Sequence, residues 1–558
     1  MSLKSHATAA GVYGVLTLLM TWPLATRLDL IEAGDSSYFA WVIAWTNHAL
    51  LSDPLSLPHA NTLHPLRYTL FLDEPIVGTS IMALPLRIFT ADPILTLNLV
   101  RLLTFFLSAL GVRALGLSVG LSPLAAFAAG ALFSFSSNRV SSPAHLSVLG
   151  TQYLPLYFLC LHRWTRSGSA RSAALAGLFF GLSAWACGYQ ALLAAAILPI
   201  PIFLLMERWS VLKTAPVGLA VALAFLLPLR ALHRDALAPL GYERTESETA
   251  FFSAPVEGLF ATAASNRVWG GATENLRSVV EANLFQGVTV LLLAAWALVS
   301  LRRNSSQRRV VIAYGSLALC AWLVALGPEV RLFGTTLFAG PFAWLRDIEA
   351  FRMIRVPARA SVFLTLGLSM LAAFGLDRIR ANAWRVALVC LALLEATVAP
   401  QSVVAAERCI ASSDPAPPVY AWLKDQADGA VIELPILAND GLFQRPKFDD
   451  SVYLLRSTLH WKPLVNGYAG TEPPLYRDTR EVMKDFPSEA SMDRLRTQNV
   501  RYVVLHLRGF GPNRRKVIED RLPEFASRLK PSARFEDDLA FEVMPTGPSA
   551  PPPSPPAK

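Results

Sequence analysis

Apolar runs of about 20 residues recur through the first 400 positions, each closed by a short polar or basic stretch. A run of that length crosses a hydrocarbon core as a single helix. The pattern predicts about eleven spans, at 9–28, 94–112, 121–137, 149–163, 172–187, 189–206, 213–230, 284–301, 309–326, 359–376 and 384–400. The stretch PIVGTSIMALPLRIFT (75–90) is apolar but shorter and interrupted by proline. It is expected to lie at the membrane surface or to re-enter, not to cross. Residues 38–51 place aromatics at 38, 39, 41 and 45. This spacing predicts an amphipathic helix at headgroup level, where Trp and Tyr settle.

The pattern changes after residue 400. Strand-like runs AVIELPIL (430–437), VRYVVLHL (500–507) and AFEVM (540–544) appear. They alternate with helix-like PVYAWLKDQ (418–426), SMDRLRTQN (491–499) and RKVIEDRLPEFASRL (515–529). That alternation predicts a small α/β domain. The expected fold class is therefore a polytopic α-helical membrane protein over 1–400 with a C-terminal α/β domain over 401–545. The proline-rich end, 546–558, is expected to be disordered.

Charge orients this arrangement. With Lys4 in the cytoplasm and 75–90 not crossing, the cytoplasmic loops hold Arg113, then Arg163, Arg166 and Arg171, then Arg208 and Lys213. Next come Arg302, Arg303, Arg308 and Arg309, then Arg378, Arg380 and Arg385. Short basic loops belong inside. The long segments 29–93, 138–148, 231–283, 327–358 and everything after 400 then lie outside, and the α/β domain is extracytoplasmic. Of 558 residues, 53% are hydrophobic and 16% charged, which fits a membrane protein. The net charge of +9 reads as orientation, and no basic run interleaved with aromatics suggests a nucleic-acid groove. Five cysteines show no CxxC spacing, which argues against a zinc site or a disulfide framework. No P-loop, GxSxG or HExxH is present, which argues against a nucleotide-driven pump or a serine hydrolase. No internal repeat of the secondary-transporter kind is visible.

The candidate chemistry lies on the outer side. Asp35 follows the first span within IEAGDSSYFAWVIAW (31–45). A carboxylate there can act as a general base on an acceptor hydroxyl or help hold a divalent metal; alternatively it caps the next helix. Asp73 and Glu74 precede Pro75, an arrangement that also serves as N-cap chemistry. Arg139 and His145 lie in SFSSNRVSSPAHLSVLGTQYLP (134–155). Arg139 is a phosphate candidate or a snorkelling residue, and His145 a base or an interfacial polar residue. The stretch LRDIEAFRMIRVPARASVF carries Arg346, Arg352, Arg355 and Arg359 against Asp347 and Glu349. A basic excess on the outer side breaks the orientation bias, and an anionic lipid headgroup is a natural reason. The loop 231–283 is long and of mixed charge and shows no specific signal.

GDSSYFAWVIAW, FSSNRVSSPAHLSVLGTQYLPLY and FRMIRVPARASVFLTLGLSMLAAFGLDRI resemble the GT-C type of integral membrane glycosyltransferase, in a bacterial, mannosyltransferase-like branch. VIELPI, KPLVNGYAG and NVRYVVLHL resemble the external domain of that branch. The resemblance implies a multi-pass protein of the bacterial inner membrane with a periplasmic C-terminal domain. It implies transfer of a sugar, of hexose type, from a polyprenyl-phosphate carrier to a glycan, lipid or protein acceptor on the external face. It makes Asp35 the catalytic or metal-associated carboxylate, Asp73 or Glu74 the second acidic site, and Arg355, Arg359 and Arg139 partners of the carrier phosphate. Many members carry an acidic pair in the first loop; here Gly34-Asp35-Ser36 departs from it, so a divalent cation stays an open expectation. Two other readings stand beside the enzyme: a transporter or flippase, and a non-catalytic assembly protein for lipid-linked envelope glycans. For the latter, NGYAG (466–470) with Trp461 nearby is either a sugar-stacking feature or a packed turn.

Overall fold

The computed structural model describes residues 3–241, 244–301, 307–401, 408–437 and 448–544. Arg302, Arg303 and the tail expected to be disordered lie outside the described residues.

All eleven apolar stretches coincide with a helix or a bent helix pair, from Leu3–Met20 to Asn382–Glu395. Among the described residues, Pro93–Ser118, Trp209–Leu240, Arg308–Ala325 and Pro357–Asp377 are long and apolar enough to cross a membrane. Gly188–Ile197 and Pro199–Leu205, bent by 60°, make a fifth if counted together. The chain is a multi-pass membrane protein. Local sequence explains where these helices start. Asp92 caps Pro93–Ser118 by accepting from the Ile94 N–H at 2.8 Å, with Pro93 at the first helical position. Small residues set how closely the helices pack. A Cβ on Gly177 would lie 2.2 Å from the Gly218 carbonyl oxygen, so Ala170–Ala186 and Ala215–Leu237 meet backbone to backbone.

The 75–90 stretch forms a buried turn of helix, Val77–Ser80, followed by a 3-10 segment, Ile81–Ile88, which ends with Ile88 exposed.

The helix Asp35–Ser52 corrects the expectation of an interfacial helix. Tyr38 to Trp45 are all buried. Even its polar Thr46 and Asn47 are fully buried, so the helix does not turn a polar face to headgroups. It packs against Pro93–Ser118 on one side and against Asp450–Ser457 of the α/β part on another. Its tryptophans find partners inside the protein. The Trp41 Nε1–H donates to Asn61 Oδ1 at 3.1 Å and the Trp45 Nε1–H to the Leu57 carbonyl at 3.0 Å.

Two small sheets flank the membrane part. Strand β1 (Leu30–Glu32) pairs antiparallel with β4 (Cys409–Ala411), and β2 (Glu329–Leu332) pairs with β3 (Thr335–Ala339) as a hairpin. The α/β part holds β5 (Ala430–Leu434), β6 (Val500–His506), β7 (Leu529–Phe535) and β8 (Asp538–Val543) in the order β5-β6-β8-β7. Only β5 and β6 run parallel. The helix expected over 515–529 stops at Arg521, gives way to a 3-10 turn containing Pro523, and is followed by β7. β7 was hidden by Pro531, which an edge strand tolerates at an irregularity in its pairing.

Candidate active site

Asp35 is the first residue of its helix. The N-cap is Gly34, with φ 98°, a conformation that favours glycine. The Gly34 N–H donates to Ser37 Oγ and to Ser451 Oγ, both at 3.0 Å. The turn that presents Asp35 is thus held by its own helix and by the α/β part. A helix N-terminus favours a negative charge at this point.

The Asp35 carboxylate has two partners. Oδ1 accepts from the Tyr468 hydroxyl at 2.7 Å, and Oδ2 pairs with His145 Nε2 at 3.0 Å. Both side chains of the ion pair stay about one-third exposed. Burial works to raise the Asp35 pKa. The His145 hydrogen bond and charge, the Tyr468 hydrogen bond and the Arg359 charge outweigh it and hold the carboxyl below its ordinary value. Burial also works against a charged His145, yet the bond to Asp35, its charge and that of Glu281 carry the imidazole above its ordinary value. Both shifts favour the charged pair, carboxylate against imidazolium, and both Asp35 oxygens are spent on partners outside its own helix.

Arg359 stands next to this pair. Its guanidinium grips Glu281 through Nε and one terminal nitrogen at 3.0 to 3.2 Å and lies over the Tyr189 ring at 4.9 Å. Its charge acts on Asp35, on His145 and on Glu74. Burial pushes the Glu281 pKa up, but Arg359 and His145 bring it below the ordinary carboxylate value. Arg355 pairs with Glu248 at 2.9 Å and packs over Phe252 at 4.4 Å. Arg346, at the near end of the same basic stretch, donates to Thr249 Oγ1 at 2.8 Å.

Asp73 and Glu74 act as ties. Glu74 is buried and accepts from the backbone N–H of Gly188 at 2.9 Å and of Tyr189 at 3.3 Å. It caps Gly188–Ile197, a helix more than a hundred residues away in sequence. Burial raises its pKa to about 7 against the opposing Arg359 charge and the backbone bonds. Asp73 Oδ2 accepts from the Gly470 N–H at 3.0 Å, holding the turn that carries Tyr468. Two expected residues are not drawn into the cluster. Arg139 is buried, but it donates to Thr151 Oγ1 and to the carbonyls of Ser134 and Leu149, and lies over Phe105 and Phe133. Arg352 is exposed and donates to the Arg346 carbonyl at 3.0 Å.

Sequence reasoning missed Glu281, Glu248 and Tyr189, and it singled out NGYAG (466–470) without connecting its Tyr468 to Asp35. The loop carrying Glu281 and Glu248 gave no local signal. The available signal was indirect: arginines at a membrane boundary need carboxylate partners. Among the described residues, no three His, Cys, Asp or Glu side chains converge as a metal site. Both Asp35 oxygens are engaged, by His145 and by Tyr468.

No family model matches the chain, and no curated protein matches it in sequence. Solved structures do match. The arabinofuranosyltransferase AftD from Mycobacteria aligns at a TM-score of 0.61 and 15% identity, over 98% of this chain and 40% of that one. The archaeal oligosaccharyltransferase AglB from Archaeoglobus fulgidus, in complex with an inhibitory peptide and a dolichol-phosphate, aligns at 0.50 and 14%, over 90% and 69%. This chain therefore spans less than half the length of AftD. Its fold is that of the GT-C glycosyltransferases.

Proposed function

We propose that this protein is a membrane glycosyltransferase that moves a sugar from a polyprenyl-phosphate carrier to an acceptor hydroxyl on the external face of the membrane. The observation that carries the reading is the Asp35 carboxylate, gripped by His145 and Tyr468 where the membrane helices meet the α/β part. The bound dolichol-phosphate of AglB supports a carrier of that chemical class.

In this reading the acceptor hydroxyl replaces one partner on the Asp35 carboxylate. Asp35 takes its proton as the oxygen attacks the anomeric carbon. The bond from that carbon to the carrier phosphate breaks on the opposite side, and the configuration inverts. The departing phosphate carries the electron pair away, and its charge is met by the His145 imidazolium and by Arg359. Arg355 lies further along the same arginine-bearing stretch, where a lipid-borne phosphate arrives from the bilayer. Asp73 and Glu74 hold the architecture: one fixes the Tyr468 turn, the other the helix whose Tyr189 lies under Arg359.

The direct test is transfer from a panel of radiolabelled polyprenyl-phosphate sugars by the purified protein in lipid, wild type beside Asp35→Asn. Transfer by the wild type and its loss in an equally folded variant is the expected result. Equal transfer by both removes Asp35 from the chemistry. Donor binding without transfer by either favours carriage or assembly of lipid-linked glycans over catalysis.

A further inference from the structure

The segment between Arg308–Ala325 and Pro357–Asp377 leaves and rejoins two membrane-crossing helices, so both its ends sit at the same boundary. Within it stands the β2–β3 hairpin, which breaks two rules of exposed hairpins. Its two-residue turn, Phe333-Gly334, has positive φ at both positions, 45° and 79°. Such a turn prefers Asn-Gly or Asp-Gly, and a bulky aromatic in the left-handed region is strained. The strained side chain is not buried: Phe333 is 67% exposed, Phe338 62%, and Leu337 half exposed. Every residue of β3 is exposed. Trp344 and Ile348, a few residues on, are also exposed, Trp344 by 74%.

This is not a loose loop. At its base, a Cβ on Gly340 would lie 2.1 Å from the Gly327 carbonyl oxygen, so the two ends are pinched together. Arg331 donates to the carbonyls of Ala250 and Ser253 at 2.6 and 3.0 Å. The Phe333 N–H donates to Glu257 Oε1 at 2.9 Å. One side of the hairpin is thus tied down, while the aromatic side chains are left without cover. Strain retained at an uncovered aromatic points to a contact outside the chain.

We propose that the β2–β3 hairpin, with Trp344 and Ile348, is an interfacial anchor that inserts its apolar side chains into the outer lipid leaflet. Three observations select lipid as the occupant. The hairpin starts four residues after one membrane-crossing helix ends, which keeps it close to the membrane boundary. Its large exposed side chains, Phe333, Leu337, Phe338, Trp344 and Ile348, are of the kind that settles at an interface. Arg352, exposed in the same segment, suits the phosphate level of a headgroup layer. The segment runs on into Arg355 and Arg359, so the anchor fixes the height of the candidate site relative to the bilayer. The inference rests on the membrane fold and stands apart from the glycosyltransferase reading.

The test uses the full chain in lipid nanodiscs, with the two least buried cysteines, Cys320 and Cys390, replaced by alanine. An environment-sensitive fluorophore is placed on Leu337→Cys and, as a control, on Ser532→Cys of the exposed strand β7. The expected result is that the probe at 337 is blue-shifted and quenched by lipids carrying a nitroxide near the headgroup, while the probe at 532 is quenched only by aqueous iodide. Iodide quenching at 337 without lipid quenching overturns the proposal, and so does cross-linking of 337 between two copies, which assigns the face to a dimer. Phe333→Asn guards against misfolding, because it installs the preferred turn. Its melting temperature in detergent is expected to hold or rise while lipid quenching at 337 falls; unchanged quenching overturns the role given to the tip.

Discussion

At the scale of single residues, the pairing of Asp35 with His145 sets an expectation that can be read as a pH profile. Asp35 has a lowered pKa and in the proposed mechanism works ionised, so activity is expected to appear as pH rises through that value. His145 has a raised pKa and works protonated, so activity is lost as pH rises through its value. The expected profile of transfer is therefore a bell. In His145→Gln the alkaline limb disappears. Its acid limb moves to higher pH, because burial then acts on Asp35 without the opposing imidazolium. Asp35→Asn is expected to cost about 10²- to 10⁴-fold in turnover, the usual weight of a general base. Tyr468→Phe removes one hydrogen bond to the carboxylate, at 2.7 Å. It is expected to raise the acid limb modestly and to cost about tenfold. Steady-state transfer measured across pH for these three variants separates a base, a charge partner and a positioning hydroxyl.

At the scale of elements, the helix Asp35–Ser52 shows what the sequence could and could not tell. The membrane helices were legible because length and apolarity are local properties, and all eleven apolar stretches proved helical. The surroundings of Asp35–Ser52 were not legible, because burial depends on Asp450–Ser457, four hundred residues further along. The same holds at the site. Asp35 and the arginine stretch were visible in sequence, but Glu281 became visible only when Arg359, 78 positions away, was seen to grip it. Asp73-Glu74 had the chemistry of a helix cap, and it caps a helix that no local pattern connects to it. The buried state of Asp35–Ser52 has a direct consequence at Ala40, which is fully enclosed. Ala40→Leu on a helix lying in headgroups costs nothing, whereas inside a packed core it costs about 1–3 kcal/mol. A lower melting temperature in detergent is the expected reading.

At the scale of the whole molecule, the membrane part and the α/β part behave as one body. One hydrophobic cluster runs from Trp41 and Phe71 through Leu454 to Val503. Polar ties cross the same boundary: Gly34 to Ser451, Asn61 to Ser457, Asp73 to Gly470, and β1 paired with β4. A titrating group inside the α/β part should then be felt in the membrane helices, and His506 provides one. It is buried between Glu433 and Asp538, at 2.8 and 2.9 Å, with Tyr420 also bonded to Glu433. Burial opposes its charge, but the two carboxylates outweigh that and push its pKa up to about 9. A histidine with a raised folded-state pKa stabilises fully below its unfolded value, about 6.5, and loses that stabilisation as pH climbs to about 9. The linked loss is about 3 kcal/mol. Thermal unfolding in detergent is expected to show a melting temperature that falls across this window, and His506→Gln should flatten the slope while lowering stability most at its low-pH end, where two buried carboxylates lose their cation. A fluorophore on Cys390, which is exposed on the last membrane-part helix, distinguishes one body from two. If the parts share a core, the probe follows the same pH-dependent midpoint as the α/β secondary structure. If they melt separately, the Cys390 signal stays level while the circular dichroism of the α/β part shifts, and the placement of Asp35 between them loses its structural basis.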